Sequence, residues 1–126
     1  MKNITFEKYQ GNGNDFVVID SRGNDLYKNY KTNKIFDIKQ ICNRQFGIGA
    51  DGVIFTEKPD EDNYAKMIIF NSDGSEAQMC GNGIRCLVEY LHVNDSMNNK
   101  NIEYKIETKA GSVSYTHLTL PTKRIV

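Results

Sequence analysis

The chain reads as an α+β domain in which mixed, mostly antiparallel strands wrap around a central buried helix. Three observations carry that reading. Short β-branched or alternating apolar runs recur along the chain, at residues 4–9, 16–19, 53–55, 64–70 and 102–108. One helical pattern, residues 83–92, is apolar on most of its surface and so demands burial among other elements. Glycine-rich turns separate these segments, and no internal repeat is present. At 126 residues the chain is long enough for one domain with a substantial core.

Taken in order, residues 4–9 alternate in part and predict a strand, closed by the turn Gly11-Asn12-Gly13-Asn14-Asp15. Phe16 to Ile19 form a β-branched run that predicts a well-buried strand. Residues 21–34 are polar and predict a surface excursion. Asp37 can cap a short helix with Ile38, Ile41 and Cys42 on one face. Gly47-Ile48-Gly49-Ala50-Asp51-Gly52 is a tight loop before the strand at 53–55. A hydrophilic turn, 58–63, leads to the strand at 64–70. In the helix at 83–92, Ile84, Leu87, Val88 and Leu91 set a 3.6-residue period, widened by Cys86 and Tyr90. After a polar loop at 94–101, residues 102–108 alternate cleanly as a half-exposed strand.

Composition excludes several classes of function. Lys plus Arg and Asp plus Glu balance at 16 each, with no basic stripe of the kind a nucleic acid requires. No stretch is long and apolar enough for a membrane span, and residues 1–8 contain no signal-peptide core, so a reducing cytosolic setting is expected. Three cysteines, Cys42, Cys80 and Cys86, argue against a disulfide framework there. Their spacing also lacks a zinc pattern, and His92 and His117 lie far apart.

The chemistry concentrates in the run from Asn71 to Arg85. Cys80 precedes Gly81-Asn82-Gly83 at the mouth of the apolar helix. A thiol beside first-turn N–H groups is in a setting that favours thiolate, and the same groups can cradle a carboxylate. A substrate carboxylate held there would bring its α-carbon to the sulfur, and fixed donors would stabilise charge developing on proton removal. The residues alone leave a second reading open, in which Cys80 is an inert cysteine starting a core helix. Asn71-Ser72-Asp73-Gly74 by itself reads as an Asx-turn between strands, and Asn14 sits in a similar glycine-flanked turn. Gly47, Gly49 and Gly52 satisfy the spacing G-x-G-x-x-G, but a strand follows rather than a helix, which removes the dinucleotide reading. Cys42 and Cys86 fall on apolar helix faces as core residues, and Arg85 is expected to pair with a nearby carboxylate.

The spacing Asn-x-Asp-Gly-Ser, four residues, then Cys-Gly-Asn-Gly-x-Arg at 71–85 closely resembles the signature of diaminopimelate epimerase. Gly11 to Phe16 resembles that family's Gly-x-Gly-Asn-Asp-Phe, and Gly47 to Asp51 its Gly-Ile-Gly-x-Asp loop, in the family's order. The resemblance implies one of the two similar halves of that fold. It implies a cofactor-independent, pyridoxal-free isomerase that interconverts LL- and meso-2,6-diaminopimelate in lysine and peptidoglycan biosynthesis. In the family one cysteine removes the α-proton as thiolate and a second, as thiol, protonates the opposite face. Cys80 matches the first of these and is the catalytic candidate. Asn14, Asn71, Gly81 and Asn82 match substrate contacts. Gly52 falls where some members place a substrate-contacting glutamine, so that contact does not carry over. A proline racemase or hydroxyproline epimerase is the nearest alternative, but those resemble the site with histidine at the position of Asn82. A non-catalytic, anion-binding half-domain is the alternative from another class.

Family members are roughly double this length, and neither Cys42 nor Cys86 matches the second cysteine. The chain alone is therefore expected to lack turnover and to self-associate through its uncovered apolar face. The expected partners are the small-molecule substrate and, for the full-length protein, a second copy in a homodimer, with no metal, nucleic acid or membrane. Residues 113–126 change character, holding no acid, and resemble an in-frame translation of a sequencing-library adapter. The expected organisation is a domain over residues 1–112 and a non-native tail over 113–126.

Overall fold

The computed structural model describes residues 5–33, 37–78, 80–95 and 103–116, together with the backbone of 122–125. Strand alternation builds two cores on opposite faces of one sheet. Along β2 (Asn14–Asp20), Phe16 and Val18 face one way, and Val17 and Ile19 the other. In β3 (Gly52–Glu57), Ile54 opposes Val53 and Phe55; in β4 (Ala65–Asn71), Met67 and Ile69 oppose Ile68 and Phe70. Burial of both faces explains why these strands read as continuous apolar runs rather than as alternating ones.

The sheet order among the described residues is β7-β6-β4-β3-β2-β1-β8, with β1 at Glu7–Gly11, β6 at Glu103–Thr108, β7 at Gly111–Thr116 and β8 at Thr122–Ile125. A short strand, β5 (Glu76–Ala77), pairs with β4. The pairs β2/β3 and β4/β6 are parallel and the remaining pairs antiparallel, so the expected mixed, mostly antiparallel sheet is what forms. Each parallel pair needs a crossover. The first carries α1 (Leu26–Asn33) and α2 (Ile38–Cys42) over one face; the second carries α3 (Gly81–Asn94) over the other.

Helix α3 is the central helix that the periodicity demanded. It lies against β1, β2, β3, β4, β7 and β8, within the curl of the sheet. Ile84, Cys86, Leu87, Val88, Tyr90 and Leu91 are all buried along it, against Tyr9, Phe16, Val18, Ile54, Tyr104 and Ile106. Its start at Gly81 rather than at Gly83 adds the first turn that the glycines had obscured. Arg22 ties the far end of the helix to β2. Its guanidinium pairs with Asp95, the C-cap, at 2.6 Å and with Asp20 at 2.9 Å, while the Tyr64 hydroxyl also donates to Asp95. Burial works to raise the Asp95 carboxyl, but the hydrogen bonds from Arg22 and Tyr64 outweigh it and hold the group below its ordinary value.

The polar segment at 21–34 corrects the expectation of a plain surface excursion, because it contains α1. Tyr27 and Tyr30 set their rings 5.2 and 5.7 Å from Phe55, and Tyr30 lies 5.5 Å from Phe70. Only Leu26, Tyr27 and Tyr30 carry the apolar stripe, and the lysines and asparagines around them mask it. The cap at Asp37 forms as expected, its carboxylate accepting from the Lys39 N–H at 3.0 Å. The expected domain boundary at 112/113 falls inside β7, which pairs with β6 from Glu103↔Thr116 to Thr108↔Gly111. An edge strand of this kind pairs through its backbone whatever its side chains.

Truncating Leu87, fully buried in α3, to alanine is expected to cost about 3 kcal/mol in urea unfolding. Val93 is 46% exposed on the same helix, and V93S is expected to stay within about 0.5 kcal/mol of the parent.

Candidate active site

The three glycine-rich segments meet at one end of the sheet. Asn14 opens β2, Gly52 opens the parallel strand β3, and Asn71 closes the antiparallel strand β4. Register places Gly52 opposite both Phe16 and Asn71. The N-terminus of α3 arrives at the same end, because Gly83 seats against Ile54 and Ile69 of these strands. A Cβ on Gly83 would stand 2.7 Å from Ile69 Cδ1, so the absence of a side chain lets the helix approach this closely.

Cys80 is the N-cap of α3, with extended backbone at φ −146° and ψ 120°, and its carbonyl accepts from the Ile84 N–H at 2.9 Å. Its thiol makes no capping hydrogen bond and is partly exposed. The first-turn N–H groups have no acceptor within the helix by construction. Gly81 is exposed, and a Cβ built on it meets nothing within 4 Å, so the approach to this turn is open. A partly exposed thiol and a set of N–H donors therefore share one surface. That arrangement can hold a carboxylate and exchange a proton beside it.

The other two cysteines are inert by burial. Desolvation pushes the Cys86 thiol up to about 12, and the Cys42 thiol is raised for the same reason. Both are core residues, as their helix faces indicated.

Asn82 and Asn14 are brought together by a short hydrogen bond from Asn82 Nδ2 to Asn14 Oδ1. Asn71 is placed at the same sheet end by register, and its side chain bonds within its own turn, donating to Ser75 Oγ at 3.1 Å. That turn closes through the Gly74 N–H to the Asn71 carbonyl at 2.9 Å, with Gly74 at φ +90°. Gly52 is enclosed: a Cβ there would lie 2.5 Å from the Phe70 carbonyl oxygen and 3.0 Å from the Phe16 ring. A longer side chain at Gly52 would have to displace β4. Arg85, expected to find a carboxylate, forms no salt bridge among the described residues.

Sequence reasoning missed the ionic clamp beneath these asparagines. Arg44 reaches from the loop after α2 to grip Asp15 with both terminal nitrogens, at 2.8 and 2.9 Å, and touches Asp51 at 3.2 Å. Lys8 adds a contact to Asp15 at 2.9 Å. The Asp51 N–H donates to the Asp15 carbonyl at 2.9 Å and to its Oδ1 at 3.0 Å, and the Asp15 N–H donates to Asp51 Oδ2 at 3.0 Å, locking the first glycine turn to the second. The Arg44 guanidinium, with Lys8 beside it, holds the Asp15 carboxyl far below the usual carboxylate range. An aspartate next to each glycine turn was visible in the sequence; Arg44 gave no signal.

A cleft of about 470 Å³ lies elsewhere, lined by Tyr27, Lys31, Lys66, Glu76, Glu107 and Lys109 among others. Of the run from Asn71 to Arg85 it touches only Glu76, and it contains none of Asn14, Asn71, Cys80, Gly81 and Asn82.

The sequence pattern of diaminopimelate epimerase matches residues 6–119. The chain belongs to the diaminopimelate epimerase family. A diaminopimelate epimerase of Prochlorococcus marinus is 50% identical over 113 residues, covering 90% of this chain and 39% of the relative. One from Methanocella arvoryzae is 51% identical over 111 residues, covering 88% of this chain and 38% of the relative. The chain thus spans about two fifths of the length of the curated relatives it matches. The fold is shared more widely. A probable proline racemase from Agrobacterium radiobacter superposes with a TM-score of 0.65 at 18% identity, over 93% of this chain and 38% of that one. No helix among the described residues is long and apolar enough to cross a membrane.

Alkylation near neutral pH is expected to modify Cys80 in the folded chain while sparing Cys42 and Cys86 until urea is added, read by peptide mass spectrometry. Equal labelling of all three in the folded state would contradict the burial assigned here. The clamp carries a pH signature of definite sign. A carboxyl depressed on folding stabilises the native state above its unfolded value of about 3.9, and that contribution fades as pH falls toward the folded value. Asp15→Asn should therefore destabilise the chain at neutral pH, with the deficit shrinking between about pH 4 and pH 2 in urea unfolding.

Proposed function

We propose that this chain carries one half of the active site of a cofactor-independent epimerase that interconverts LL- and meso-2,6-diaminopimelate. The observation that carries the reading is Cys80 at the N-cap of α3, with its thiol uncommitted to capping and the glycine-opened first turn beside it. Membership of the family supports the substrate assignment. In this reading the first-turn N–H groups of Gly81, Asn82 and Gly83 receive the substrate's α-carboxylate. The Cys80 thiolate takes the α-proton and becomes a thiol; the electron pair left on carbon spreads into the carboxylate, where the fixed donors stabilise it. A second cysteine thiol then delivers a proton to the opposite face and is left as thiolate. Asn14, Asn71, Gly81 and Asn82 form the contacts that orient the amino acid.

Cys42 and Cys86 are withdrawn into the two cores and unsuited to the second role. We place the second base in protein beyond this chain, with residues 113–126 outside the native sequence and the enzyme in the cytosol. Phe46 and Ile48, exposed on the loop that carries Asp51, are suited to lie against that further protein, and the open approach at Gly81 would be closed by it.

The test uses protein expressed from the complete gene, read onward from the Gly111 codon. With LL-diaminopimelate in deuterium oxide, C80A is expected to slow solvent exchange of the α-proton by about 10²–10⁴-fold, measured by mass spectrometry. An undiminished rate in C80A would remove Cys80 from the chemistry. Turnover by the 126-residue chain alone would overturn the divided site. Exchange of proline but not of diaminopimelate would move the reading to the racemase branch.

A further inference from the structure

The hydrogen bonds around Asn14 have a direction that chemistry alone fixes. The Asp51 carboxylate is only an acceptor. Its Oδ2 takes the Asp15 N–H at 3.0 Å and faces the Asn14 amide at 3.2 Å, while its Oδ1 takes Arg44. Asn14 must therefore present its NH₂ group to Asp51, which turns its carbonyl oxygen toward Asn82. That oxygen in turn admits only a donor, so Asn82 must present its own NH₂ group to Asn14. An amide free to flip would offer either end; this one is set from two residues away.

We propose that Asp51 is a positioning residue which, acting through Asn14, fixes the Asn82 side chain so that its carbonyl oxygen faces away from Asn14, toward the ligand. The bonded triad lies between the second glycine turn and the first turn of α3, and Arg44 and Asp15 hold its anionic end in place. The consequence is a sign rule for the site. Backbone N–H groups of the α3 first turn present donors, whereas the Asn82 side chain beside them presents an acceptor. A bound group at that acceptor must itself carry a proton, which for an amino acid is its ammonium rather than its carboxylate. The identity of that ammonium rests on the epimerase reading; the direction of the relay does not.

The test is side-chain amide NMR, without ligand, on ¹⁵N-labelled protein expressed from the complete gene. In the parent, one NH₂ proton of Asn14 and one of Asn82 are expected to exchange slowly and to be shifted downfield of their geminal partners. In D51A the Asn82 pair should collapse toward free-amide positions, with exchange at least about fivefold faster, while the Leu87 and Leu91 backbone amides keep their protection. If D51A disturbs the loop as a whole, N14A tests the same relay with the Asp51–Arg44–Asp15 clamp intact, and the Asn82 signals should respond in the same way. Unchanged Asn82 signals in N14A, or in a folded D51A, would overturn the proposal. Equal loss of protection at Leu87 and Leu91 in both variants would also overturn it, because the role would then be structural only. The measurement uses no turnover, so loss of the epimerase reading through C80A leaves it standing, and its own loss leaves that reading untouched.

Discussion

Everything in this molecule depends on burying α3. A helix whose residues Ile84, Cys86, Leu87, Val88, Tyr90 and Leu91 are all withdrawn from solvent cannot lie on a flat sheet, because a flat sheet covers only one side. In this chain the sheet curls so that β1 and β8 on one flank and β7 on the other lie against the helix. The curl then decides which strand ends gather at the N-terminus of α3, and so which loops surround Cys80. Burial of the helix and assembly of the site are one event.

Two devices fix the position of that N-terminus. Gly83 lets the helix press onto Ile54 and Ile69, and at the opposite end Arg22 fastens the C-cap to β2 through two carboxylates. A helix pinned at both ends cannot slide, so the first-turn N–H groups keep a fixed aim. Fixed donors are useful to a reaction that develops charge on a carboxylate, since they need not reorganise when it appears.

The clamp of Arg44, Asp15 and Asp51 works differently. It joins loops that are distant in the chain, and it does so through charge and backbone hydrogen bonds rather than through apolar packing. The ionised groups need no burial to act, and Arg44 remains more than half exposed. Asp51 in turn accepts from the Asn14 amide, so the clamp reaches the first glycine turn through a side chain as well.

Much of this was legible in the residues. Period and apolar width identified the central helix, β-branched runs located the strands, and glycine turns around Cys80, Asn14 and Asn71 marked a candidate site whose segments meet at one end of the sheet, because each of these signals is local. Helix α1 was not legible, since three apolar residues among lysines and asparagines become a packing face only when Phe55 and Phe70 stand opposite. Arg44 was not legible either, because its partners lie 29 and 7 residues away along the chain. Fold class, family and the thiol at the head of a buried helix can all be read from the residues. Only the folded chain brings Asn82 against Asn14 and joins Asp15 to Asp51 and Arg44. Burial and hydrogen-bond direction both depend on neighbours that only folding brings near.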